Sequence, residues 1–200
     1  PEFTKADFPG SRAYNLGNRF TENGTPIARE HWSFSAIPAL FEDVKQRFGM
    51  RGDQFAIFGH SAGSQFVHRF LMFFPDAPVS RVVAANAGWY TMPDETIEFP
   101  YGLKNSAVTE HALKRVLGLP VTILLGDADT LTDQSNLRQS PEAKAQGAHR
   151  YARAHSFYDQ GERTAERLSV PFNWKLDTVP GADHDNAKMA PKAVHYLLPE

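Results

Sequence analysis

The 200-residue sequence contains no cysteine. That excludes disulfides, thiolate nucleophiles and cysteine-containing zinc sites, and it leaves the redox compartment open. No apolar run reaches the roughly 18 residues of a membrane span. No basic block is present: 21 Lys and Arg stand against 23 Asp and Glu, a formal net charge of −2. Neither nucleic acid nor an anionic membrane is therefore an expected partner. Internal repeats and low-complexity tracts are absent too. His31, His68, His111, His149, His155 and His195 show no spacing of the His-Glu-x-x-His kind, so zinc is not expected. The chain opens Pro1-Glu2-Phe3, without a methionine or a visible signal peptide, a beginning that neither indicates nor excludes a leader. What remains, 42% hydrophobic and 22% charged, is the composition of a soluble globular protein of one domain.

Residues 1–30 carry turn signals throughout (Phe8-Pro9-Gly10-Ser11, Asn15-Leu16-Gly17-Asn18, Glu22-Asn23-Gly24-Thr25-Pro26) and read as loop. Apolar positions Phe34, Ile37, Leu40, Phe41, Val44 and Phe48 recur at three and four residues, which predicts a helix over 33–48 with Gly49 as its cap. A strand over 54–58 and a helix over 62–74 follow, stopped by Pro75. Further strands are predicted at 81–88, 121–125 and 172–179, with helices at 109–117, 148–168 and from Pro191 to about Leu198, the proline in the first turn. Segment 89–118 carries Pro93, Pro100 and several aromatics and reads as a short lid over a surface opening. The polar stretch 130–147 reads only as a loop. Strands continuous in apolar residues and alternating with helices predict an α/β fold: a mostly parallel sheet covered on both faces.

One pentapeptide organises this pattern. Phe55-Ala56-Ile57-Phe58 runs straight into Gly59-His60-Ser61-Ala62-Gly63, and a helical period follows at once. In that strand–turn–helix context Gly-x-Ser-x-Gly marks a nucleophile elbow, a tight turn that presents the serine hydroxyl and needs small neighbours on either side. Ligands bind at the carboxyl ends of strands in open parallel sheets. Those ends deliver Ser61, then Asn86 and Trp89, then Asp127 and Asp129, then Asp183 and His184. Serine, carboxylate and imidazole thus arrive in the order Ser, Asp, His. His184 is the expected general base and the Ala62 amide the expected oxyanion donor. Asp129 is the preferred acid, with Asp127 and Asp133 as alternatives. His60, Trp89, Tyr90 and Tyr101 are candidate substrate contacts. Such chemistry needs neither metal nor cofactor.

These residues resemble the α/β-hydrolase superfamily, over nearly all of the chain. There the acid commonly stands third after the glycine in a segment such as Leu125-Gly126-Asp127-Ala128-Asp129, which selects Asp129. More narrowly, residues 8–18, Gly88-Trp89-Tyr90 and His184-Asp185-Asn186-Ala187-Lys188-Met189 resemble bacterial esterases related to polyhydroxyalkanoate-depolymerase and feruloyl-esterase-type enzymes. The resemblance implies a single hydrolase domain over 1–200 and a serine esterase acting on a small-molecule ester through an acyl-enzyme. It also favours the bacterial cytoplasm as compartment without fixing it. Thioester or peptide cleavage on the same triad, or non-catalytic small-molecule binding, are the alternatives. The four strands match only the carboxyl-terminal half of the superfamily's sheet. The strand carrying Ser61 is expected to lack its neighbour and the loop bearing the second oxyanion donor, which an amino-terminal segment or a second chain would supply.

Overall fold

The computed structural model describes residues 3–198. Four strands, β1 (Phe55–His60), β2 (Val79–Ala85), β3 (Val121–Gly126) and β4 (Lys175–Val179), form one parallel sheet whose spatial order repeats the chain order. The helices are α1 (Gly10–Ala13), α2 (Ala36–Phe48), α3 (Ala62–Phe73), α4 (Glu110–Gly118), α5 (Pro141–Ala145), α6 (Arg150–Leu168) and α7 (Asn186–Leu197).

Side-chain alternation along the strands divides the core in two. Val82, Ala84, Ile123 and Leu125 face one side, where they pack with Phe66 and Phe70 of α3, Leu113 and Leu117 of α4, and Phe157 of α6. Val83, Ala85 and Leu124 face the other side and meet Met189 and Ala193 of α7. Both faces of β2 and β3 are therefore covered, which explains why these strands read as unbroken apolar runs. Ile123, Leu124 and Leu125 are wholly buried; burial of each such side chain stabilises by about 1.5–3 kcal/mol.

β1 differs. Among the described residues it pairs only with β2, and Phe55, Ile57 and Phe58 remain half-buried. Helix α2 lies beside it with Phe41 against Phe55, ring centroids 5.0 Å apart. An apolar groove of about 500 Å³ runs between them, lined by Ile37, Leu40, Phe41, Phe55 and Ile57. The strand edge beside the nucleophile is thus open, as its sequence led us to expect.

Three local readings need correction. Pro191 stands inside α7, not in its first turn: Asp185 accepts a hydrogen bond from the Ala187 amide (2.8 Å) and starts the helix five residues before the proline. The helix simply forgoes the bond that a residue-191 amide would have given to the Ala187 carbonyl. The stretch 130–147 contains α5, which begins at Ser140 with Pro141 in its first turn and a serine hydroxyl accepting from the Ala143 amide. The amino-terminal segment, read as loop, contains the one-turn helix α1 and is anchored: the Ser33 amide donates to the Gly17 carbonyl (3.0 Å), and the buried Arg19 guanidinium sits 3.8 Å from the centre of the Phe73 ring.

Candidate active site

Ser61 lies between β1 and α3 with φ 55° and ψ −115°. That backbone conformation costs a serine on the order of 1–3 kcal/mol and survives only where the surroundings enforce it. Here the Ser61 amide donates to the Ala85 carbonyl (2.9 Å), and the Ser61 carbonyl accepts from the Gln65 amide (3.1 Å). The turn also needs close approach. A Cβ on Gly59 would fall 2.3 Å from the Gly63 carbonyl oxygen, whereas a Cβ on Gly63 would meet nothing nearer than the Tyr14 hydroxyl at 3.9 Å. The expectation that both glycines are sterically required holds only for Gly59.

The strand tips bring Ser61, Asp129 and His184 together. His184 Nε2 lies 2.8 Å from Ser61 Oγ, and His184 Nδ1 lies 2.7 Å from Asp129 Oδ2. Asp129 is almost wholly buried while His184 keeps 13% of its side chain exposed, so the acid is dry and the base opens toward solvent. A hydroxyl bonded to an imidazole whose far nitrogen meets a buried carboxylate has the geometry for activated nucleophilic attack. The Ala62 amide is the first of α3, where backbone donors find no acceptor within the helix.

The other strand-tip acids do different work. Asp127 turns outward and accepts from the Gly181 amide (2.7 Å), bracing the β3 tip against the β4 tip. Asp133 is exposed. Asp183 pairs with Lys188 at 2.9 Å, and Asp185 caps α7. Asn86, in a left-handed conformation, accepts from the Gly126 amide (2.9 Å) and donates to the Asp183 carbonyl (3.2 Å). It fastens the histidine loop to β2 and β3. An asparagine directly after an apolar strand was the sequence signal for this.

The candidate substrate contacts sort unevenly. Tyr90 is wholly buried and stacked on Phe157, centroids 4.4 Å apart; it packs the core and does not line an opening. Trp89 is 4% exposed, covered by the Arg69 guanidinium at 4.1 Å and by Tyr101 at 4.7 Å. Tyr101 is half-buried, accepts from Arg138 Nε (3.1 Å) and shares a hydrogen bond with Ser140 (2.7 Å). It borders a cleft of about 480 Å³ whose lining includes Met92, Ile97 and Gln146 but none of Ser61, Asp129 and His184. The cleft that does reach the nucleophile's neighbour is elsewhere: about 530 Å³, lined by Phe3, Lys5, Phe8, Tyr14, Asn15 and Ala62. Apart from Ala62, sequence reading missed these residues, because an aperiodic segment gives no hint of what it covers.

His60 packs against the base, ring centroids 4.8 Å from those of His184. Burial first, then the repulsion that a protonated His184 and Arg150 exert, lowers its pKa from 6.5 to about 4, partly opposed by Asp129 and Asp185. His68 is held neutral more firmly still. Its Nδ1 donates to the Ser64 carbonyl (2.9 Å) and its Nε2 accepts from the Thr91 amide (3.1 Å), and burial drives its pKa well below 6.5. The unfolded chain binds protons at both positions below about pH 6.5, whereas the fold does not. Stability contributed by keeping them neutral is complete above that value and declines as pH falls through it, down to about 4 for His60. We expect the urea midpoint at about pH 5 to lie clearly below that at about pH 7.5; His68→Asn should flatten the dependence, and an unchanged midpoint in wild type would contradict it.

Among the described residues no cluster of three His, Asp or Glu side chains is arranged to hold a metal, and no helix is long and apolar enough to cross a membrane.

The sequence matches no protein-family model and no curated protein. Solved structures do match. Poly(aspartic acid) hydrolase-1 from Sphingomonas sp. KT-1 is 48% identical, with a TM-score of 0.96; the alignment covers 98% of this chain and 75% of that one. The poly(3-hydroxybutyrate) depolymerase LpqC from Bordetella parapertussis is 42% identical, with a TM-score of 0.86 over 92% of this chain and 62% of its own. With nearly half its residues shared along three quarters of the first of these, and with the same parallel sheet, the chain belongs to the α/β-hydrolase superfamily, in the family of hydrolases that includes poly(aspartic acid) hydrolase-1.

Proposed function

We propose that the chain is a serine hydrolase that cleaves carboxylic esters through an acyl-enzyme. The observation that carries this reading is the unbroken Asp129–His184–Ser61 hydrogen-bond chain, with bonds of 2.7 and 2.8 Å, ending on a serine in a strained elbow. In this reading Ser61 Oγ attacks the ester carbonyl while His184 Nε2 takes its proton. The Ala62 amide donates to the carbonyl oxygen as it becomes an oxyanion, an interaction worth about 3–4 kcal/mol in the transition state. His184 returns the proton to the leaving alcohol, and Asp129 stabilises the imidazolium between the two transfers. Water, deprotonated by the same imidazole, then releases the acid. The cleft beside Ala62 would receive one side of the ester against Phe3, Phe8 and Tyr14.

Hydrolysis of p-nitrophenyl acetate and butyrate, together with covalent labelling of Ser61 by a fluorophosphonate, tests the reading. No labelling and no release above the uncatalysed rate would sink it. The likeness to poly(aspartic acid) hydrolase-1 favours a second reading, cleavage of an amide-linked acidic polymer by the same triad. Parallel assays on poly(aspartic acid) and poly(3-hydroxybutyrate) separate the two.

A further inference from the structure

The stretch 130–147, a bare loop by sequence, folds back behind Asp129 and meets Arg150, the first residue of α6. Arg150 and Asp129 are each only 1% exposed. The two oxygens of the carboxylate are divided between partners: Oδ2 faces His184 Nδ1 at 2.7 Å, and Oδ1 faces Arg150 Nη1 at 3.3 Å. The same Nη1 also donates to Gln134 Oε1, while Nη2 donates to Asn136 Oδ1 at 2.8 Å. The Asp129 carbonyl accepts from the Tyr151 amide at 3.4 Å, so the start of α6 is tied to the acid through both backbone and side chain.

We propose that Arg150 is a positioning residue of the reaction, its guanidinium holding Oδ1 of Asp129 so that Oδ2 stays on His184. The inference rests on the serine-hydrolase reading and adds a group that the triad alone does not contain. Its logic is conformational. A carboxylate turns easily about its last torsion, which is broad and nearly two-fold. With one oxygen on an imidazole and the other free, rotation would break the bond to His184 at little cost; with Oδ1 tied, it breaks two. Placement of the guanidinium matters equally. Arginine ordinarily grips a carboxylate with two parallel bonds. Such a grip would take both oxygens and compete with His184. Here Gln134 shares Nη1 with the carboxylate and Asn136 turns Nη2 away from it, while Nε makes no hydrogen bond, so a single longer contact to Oδ1 remains. The buried cation also compensates a buried anion that would otherwise be costly.

Charge adds a second signature. A cation behind Asp129 opposes accumulation of positive charge on His184. The other charged or titratable groups around the pair are His60 on β1, Asp127 at the β3 tip, Asp183 and Asp185 before α7, and Arg153 one turn along α6. None of these carries a charge of either sign onto Oδ1.

The test compares wild type with Arg150→Met and Arg150→Lys by kcat and KM on p-nitrophenyl butyrate from roughly pH 5 to 9, and by the low-field NMR resonance of the proton between His184 and Asp129. Arg150→Met should lower kcat about 100-fold with KM little changed, move the acidic limb of the kcat/KM profile to higher pH, and shift or broaden the low-field resonance. Arg150→Lys should keep the acidic limb in place and recover part of kcat. A folded Arg150→Met with kcat within about threefold of wild type and an unmoved resonance overturns the proposal; so does a lysine variant as impaired as the methionine one. Should Arg150→Met not fold, the double variant Gln134→Leu/Asn136→Leu releases the guanidinium at two more accessible positions. It should lower kcat about tenfold, and an unchanged kcat overturns the proposal. If wild type hydrolyses no substrate, the NMR comparison still decides the role of Arg150, and only the serine-hydrolase reading falls.

Discussion

Ser61→Ala is expected to abolish fluorophosphonate labelling and to lower ester hydrolysis by about a million-fold in kcat, while leaving the protein folded. The loss is large because the nucleophile, base and acid act as one unit. Without the hydroxyl, the imidazole of His184 has no proton to accept, and what remains is water attack assisted by the Ala62 amide. The fold should be indifferent, because alanine retains the Cβ of serine at the same positive φ and only a half-buried hydroxyl is removed. The measurement is a paired one: rate on p-nitrophenyl butyrate and urea unfolding, on the same preparation. A variant that hydrolyses as fast as wild type would show the reaction to occur elsewhere.

Gly59→Ala is expected to damage both stability and activity. The added methyl would lie 2.3 Å from the Gly63 carbonyl oxygen and 2.7 Å from the Ser64 amide nitrogen, and both are backbone atoms with no rotamer to change. Relief requires α3 to back away from β1, which unseats Ser61 from His184. A loss of about 3 kcal/mol or more, with hydrolysis reduced to background, is the expected outcome. Gly63→Ala is the control. Its methyl would find the Tyr14 hydroxyl at 3.9 Å and nothing closer, and a helical glycine replaced by alanine gains about 0.5–1 kcal/mol. Urea unfolding of the two variants side by side checks the contrast; equal stabilities would refute the steric account of the turn.

The two glycines show how far the sequence could be read. The pentapeptide announced a tight turn, but which glycine was needed for space depended on the direction from which α3 approaches, and that is a property of packing. The strands were legible because β2 and β3 are buried on both faces, so nearly every residue in them had to be apolar. The triad was legible because a parallel sheet delivers its strand ends to one edge, leaving Ser61, Asp129 and His184 few other places to go. Trp89 and Tyr90 misled for the converse reason: an aromatic in an irregular segment looks exposed, yet Arg69 and Phe157 bury them from other parts of the chain. Arg150 carried no signal, since a lone arginine at a helix start is ordinarily surface. Only the fold puts it behind the acid, 21 residues away in sequence.

The sheet's order spreads the proposed reaction across the whole sheet. Because β1, β2, β3 and β4 lie side by side in the order of the chain, the hydroxyl stands at the tip of one edge strand, the carboxylate at an inner strand and the imidazole just after the other edge strand. A molecule lacking either edge would hold no complete proton path. Hydrolysis by this triad therefore requires all four strands at once, and its recovery during refolding would report completion of the sheet rather than of any single pairing.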